Sequence, residues 1–148
     1  MIELQQAIFN RMKQDQGLLT LLGISLPAVE SEISKRLLPT SPSRLTEDSI
    51  IHFWFPVSYS SSRNAMWETR HVQFRIWVKD NALITQQRIS ERLQQLFVNA
   101  EIRIENLAGY SKFFYVGEGQ IPGRINELYG WFLEIYVQHQ VKNFSEGG

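Results

Sequence analysis

Apolar and polar positions along residues 69–97 follow two periods in succession. Val72, Phe74, Ile76 and Val78 alternate with His71, Gln73, Arg75, Trp77 and Lys79, the two-residue period of a strand that buries one face. Asp80 is placed to cap the start of a helix. Ile89, Leu93, Leu96 and Phe97 then recur at helical spacing, which predicts a helix over 82–98 of about 25 Å, at ~1.5 Å per residue. Trp77 falls on the strand's polar face beside Arg75 and Gln73. A large indole there needs a cover, and a neighbouring subunit is the expected one.

The same reading divides the rest of the chain. Leu4, Ala7, Ile8 and Met12 form the stripe of a helix over 2–14, with Gly17 as its break and an apolar turn over 18–22 that ends at Gly23. Residues 24–49, with Pro27, Pro39 and Pro42, read as an irregular Pro/Ser-containing insertion with one helical piece over 30–38. β-Branched and aromatic residues predict a strand over 50–59, where Pro56 marks an edge or a bulge. Residues 60–65 read as a hairpin tip. Short strands are expected at 101–105 and 111–116, and 117–126 reads as a Gly/Pro loop. The last strand, 129–142, is expected to be the longest. Trp131, Leu133, Ile135, Val137 and Val141 share one of its faces; Phe132, Glu134, Tyr136, Gln138 and Gln140 share the other. Residues 143–148 read as a flexible tail. The order predicts a single domain over 1–148 of the α+β class: two layers, with a mainly antiparallel sheet and two main helices packed on one face.

Composition narrows the function classes. The 148 residues are 43% hydrophobic and 12% aromatic, enough to form a folded core. Lys+Arg and Asp+Glu both number 15. They balance seven to seven through Phe74 and eight to eight beyond it. Such a chain has no long-range pull toward nucleic acid or an anionic membrane, and near-zero net charge favours association. The absence of cysteine excludes disulfides, thiol catalysis and Cys-based zinc sites. The first residues lack the basic and apolar regions of a secretory signal, and no apolar run is long enough to span a bilayer. A soluble, intracellular protein is the expectation.

Candidate chemistry is sparse. His52, His71 and His139 lie on three different predicted strands, without the HExxH spacing of a zinc protease. The bland reading, three partly exposed strand histidines satisfied by water or polar neighbours, is the stronger, and no metal is expected. The string GEGQIPG at 117–123 misses the GxGxxG spacing, and Pro122 stands where a helix would open. There is no GxSxG, and Glu68, Glu101, Glu105, Glu118, Glu127 and Glu134 are scattered. No catalytic residue and no cofactor is expected. KFFYV at 112–116 is only loosely like an RNA-binding strand and lacks that motif's glycines and arginine.

The positive signal is aromatic. Trp54, Trp77, Phe132 and Tyr136 occupy the strand faces opposite the main apolar sets, among Gln73, Arg75, Glu134 and Gln138. Aromatics mixed with Arg and Gln make interface composition. The competing reading folds residues 24–49 over this face. On the interface reading, Trp77→Ala weakens assembly more than folding.

Four strings carry a family resemblance: IFNRMKQDQGLLTLLG at 8–23, SIIHFWF at 49–55, HVQFRIWVK at 71–79 running into the helix, and LYGWFLEIYV at 128–137. With the order of elements, they resemble the tail completion or tail-terminator proteins of long-tailed bacteriophages, also called head–tail joining proteins. The longer 24–49 segment departs from that pattern. The resemblance implies a non-enzymatic virion protein, assembled in the host cytoplasm, whose copies form a ring, typically of six. The ring caps the tail tube and joins it to the head connector. Implied partners are the chain itself, the tail tube protein and the connector protein. No membrane and no specific nucleic acid is involved, although DNA passes through such a ring. The expected subunit interface is Trp54, Arg75, Trp77, Phe132, Glu134 and Tyr136. The expected docking loops carry Arg63, Met66, Trp67, Glu118, Gln120 and Arg124. The alternatives are an intracellular α+β binding module, with RNA as one ligand, and a small enzyme with a cleft under 24–49.

Overall fold

The structure, a computed structural model, describes residues 2–39, 47–55, 58–60, 67–104 and 108–140. Its elements are helices α1 (Ile2–Lys13), α2 (Gln16–Leu21), α3 (Glu30–Arg36) and α4 (Leu83–Phe97). The strands are β1 (Leu37–Leu38), β2 (Ser49–Trp54), β3 (Ser58–Ser60), β4 (Trp67–Val78), β5 (Glu101–Arg103), β6 (Ala108–Ile125) and β7 (Leu128–Gln140). One seven-stranded sheet runs β1-β2-β4-β7-β6-β5, with β3 also paired to β4. Every pair is antiparallel except β1 with β2. This is the expected α+β class.

Helices and sheet meet in one apolar cluster. Leu4, Ile8 and Met12 of α1 and Ile89, Leu93 and Phe97 of α4 bury against Ile51, Phe53, Val72, Phe74, Ile76, Val78, Leu133, Ile135 and Val137. Phe53, Phe74, Phe97 and Phe113 run through it as neighbouring rings, with centroids 5.5–5.8 Å apart. The alternation along β4 and β7 therefore faces as expected. Gln86, on the same stripe of α4, donates to the backbone oxygens of Ile76 at 3.0 Å and Tyr129 at 2.9 Å, pinning the helix to the sheet.

Several expectations are corrected. Gly17 does not break α1. The chain turns at Asp15, whose carboxylate accepts from the Leu18 N–H at 2.8 Å and so caps α2, with Gly17 inside that helix. Asp80 caps no helix; it opens a 3₁₀ turn, Asp80–Ala82, ahead of α4. The helical piece at 30–38 ends at Arg36, and Leu37–Leu38 pair with β2. The strand expected over 50–59 stops at Trp54 and pairing resumes at Ser58.

The largest correction is the Gly/Pro loop over 117–126, which is strand. β6 has 18 residues, so it and not β7, with 13, is the longest. Its register on β7 shifts between Tyr115 and Gly117 and between Ile121 and Arg124, and Pro122 lies within the second shift. Beyond the short β5, this part of β6 is an edge among the described residues, where a proline costs no ladder hydrogen bond and bulges are tolerated. The turn back to β7 is made at Asn126 and Glu127, both at positive φ.

Candidate interaction face

Residues on the sheet side away from the helices come into one array through the strand register. His52 faces Arg75 and Trp54 faces Gln73 across β2 and β4. His71, Gln73, Arg75 and Trp77 face Tyr136, Glu134, Phe132 and Gly130 across β4 and β7. Phe114, Gly117, Gly119 and Ile121 continue the rows on β6. All six residues of the expected interface therefore lie on one face.

Their side chains form a ladder across the strands. The Arg75 guanidinium lies 4.2 Å from the Trp54 ring centre and its Nε donates to Gln73 Oε1 at 2.9 Å. Gln73 Nε2 donates to Glu134 Oε1 at 3.3 Å, and Glu134 Oε2 sits 3.4 Å from His71 Nδ1. His71 leans on Tyr136, with centroids 6.1 Å apart, and Tyr136 stacks on Phe114 at 4.8 Å. Burial draws the Arg75 pKa down, yet a guanidinium stays charged at any biological pH. Gln73 thus links the two charged side chains, Arg75 and Glu134, across the face. The half-buried rings of Trp54, Phe132 and Tyr136 remain for a partner.

Trp77 is corrected. It is 2% exposed, closed over by Ile50 and Leu128, with Leu38 and Ile121 against the same cluster. Its Nε1 donates to His52 Nε2 at 2.9 Å. His52 is itself buried, and burial with the nearby Arg75 charge pushes its pKa down to about 4. The imidazole is therefore neutral, with its proton on Nδ1. The indole lies flat over Gly130, its cross-strand neighbour, where a β-carbon would stand 2.6 Å from its Cζ3. The cover of Trp77 is supplied by the chain itself. Of the described residues in 24–49, Leu38 reaches this cluster, whereas Ile33 and Leu37 join the helix-side core.

The docking residues separate. Arg63 and Met66 lie outside the described residues, and Trp67 opens β4 with its side chain likewise outside them. Glu118 is exposed but tied to α4 and β7: its Oε2 accepts from Ser90 at 2.7 Å, Gln94 at 2.9 Å and Trp131 Nε1 at 3.4 Å. Gln120 is exposed on the same side of β6. Arg124 is exposed beside Tyr129 and borders a groove of about 420 Å³ with Lys79, Asp80, Asn81, Asn126, Glu127 and Leu128.

The fold has a solved counterpart. It is similar to a chain of the virion of a native gene transfer agent (GTA) particle, with a TM-score of 0.70 and 11% identity, covering 93% of this chain and 95% of that one. No protein-family model matches the sequence. No curated protein matches it either.

Phe114 belongs to the face but was not among its expected members; alternation finds it once Phe113 is assigned to the core. Alternation already put His71 and Gln73 on this face, and the register adds their partners, Tyr136 and Glu134. Among the described residues, no three His, Asp or Glu side chains gather to hold a metal.

Proposed function

We propose that this chain is a structural virion protein whose copies close into a ring, typically of six, that caps the tail tube and joins it to the head connector. The observation that carries this reading is the fold shared, over nearly the full length of both chains, with a component of a gene transfer agent virion. The outer sheet face supports it. Trp54, Arg75, Phe132, Glu134 and Tyr136 form a preorganised surface in which Arg75 rests on Trp54 and Gln73 links Arg75 to Glu134, so that subunit contact buries rings beside charges already held in place. Trp77 supports this face from within rather than touching a neighbour. Each ring contact is heterologous and closes only at the right rotation between copies. In this reading Arg124 and the β6–β7 turn, at one end of the sheet, dock on the tube or the connector, and DNA passes through the lumen.

Deleting the gene from a particle-producing host tests the reading. Tails without heads, or tubes without a finished end, are the expected result. Complementation with the native chain restores joined particles, and Phe132→Ala restores fewer. Normal particles after deletion would exclude the role.

A further inference from the structure

β6 is paired with β7 on one side and only briefly with β5 on the other. β5 reaches Lys112, and Phe113 still exchanges backbone hydrogen bonds with Ala100 and Asn99. Beyond it, residues 114–121 have no strand on that side among the described residues. The window closes at the bulge that holds Pro122. Eight residues span about 26 Å at ~3.3 Å each, and about half their N–H and C=O groups point away from β7.

Apart from the register shift between Tyr115 and Gly117, the window carries little of an edge's usual protection. It carries no lysine or arginine, and its single charge, Glu118, is tied by hydrogen bonds to Ser90 and Gln94 of α4. Tyr115 and Val116 are instead exposed at 45% and 43%. A third feature points the same way. Two outer-face glycines are each covered by the aromatic ring of their cross-strand neighbour: Gly130 by Trp77 and Gly119 by Phe132. Gly117 is not. Its neighbour Glu134 turns to Gln73 and His71, and nothing lies within 4 Å of where a Gly117 β-carbon would stand. A bare strand glycine is a place for close approach by another backbone or ring.

We propose that residues 114–121 of β6 are an edge to which a second copy of this chain adds a strand, with an apolar or aromatic side chain of that copy covering Gly117. A like copy fits because the chain has zero formal net charge and the edge offers no free charge to select a partner of opposite sign. The inference rests on the ring reading and names the edge through which neighbours join.

The test combines native mass measurement over a dilution series with hydrogen–deuterium exchange on the same samples. In the assembled protein, amides of 114–121 should gain about tenfold protection or more over the dilute monomer. Val116→Lys charges the edge, and Gly117→Val fills the bare site with a strand-favouring residue. Both should keep the melting temperature of the dilute monomer and weaken assembly about tenfold or more. Assembly without added protection of 114–121, or undiminished in both variants, would overturn the edge and leave the ring reading standing. A wild-type chain that stays monomeric at every concentration, with or without tail tubes, would overturn both.

Discussion

Gly130→Ala should destabilise the fold, because the space for a β-carbon is already occupied. That carbon would stand 2.6 Å from Trp77 Cζ3, 2.9 Å from Cη2 and 3.0 Å from Ile121 Cδ1. The indole cannot retreat easily: it is 2% exposed, packed by Ile50 and Leu128, and held to His52 by its Nε1. Overpacking of this kind costs about 1–3 kcal/mol, and the lower unfolded-chain entropy of alanine returns roughly 0.4–1. A net loss of about 1–2 kcal/mol follows, or roughly 2–8 °C in melting temperature for a chain of this size. Urea unfolding followed by far-UV circular dichroism, at fixed protomer concentration, measures it. The control is the same change in a Trp77→Leu background. That background is itself weakened, since a cavity opens and His52 Nε2 loses its donor. Within it the added methyl has room, so its cost should fall to about zero and the cycle should show a coupling of roughly 1–2 kcal/mol. A neutral Gly130→Ala, or costs that simply add, would refute the packing of Trp77 on Gly130.

Two further outcomes follow from the charge pairs. Asp15→Asn keeps the cap on Leu18 but loses the charged hydrogen bonds that Arg92 donates through Nη2 at 2.5 Å and Nε at 2.8 Å, and should cost about 1 kcal/mol by thermal unfolding. Arg92 holds the Asp15 carboxyl below its ordinary 3.8, so this contribution is complete above that pH. The gap between wild type and variant should close as the pH falls through the lower folded value; a gap unchanged in acid would contradict the pairing. His52, with a folded pKa of about 4 against an ordinary 6.5, binds its proton more readily in the unfolded chain. Stability should therefore fall as the pH drops from 6.5 to 4, by roughly 3 kcal/mol in all, and His52→Gln should flatten that part of the profile.

Regular alternation was legible without the fold. Val72 to Val78 on β4 and Leu133 to Val137 on β7 face the core as their spacing demands, because a strand with one buried face admits no other register. The glycines and Pro122 of β6 misled because loop composition and a bulged edge strand draw on the same residues. What separates them is the pairing with β7, a long-range fact. The face was legible as a set of directions and not as degrees of burial. Alternation placed Trp77 opposite Val78 correctly, but Leu128, Ile50 and Gly130, which pack on it, are 27 or more residues away in sequence. Glu118 likewise looked like a loop carboxylate until α4 supplied Ser90 and Gln94.

Purified protein added to tail tubes from a host lacking it, imaged by electron microscopy, tests the proposed role most directly. The account predicts a ring of copies seated on one end of the tube, absent when the protein is withheld. Bare tube ends beside a protein that remains monomeric would contradict it.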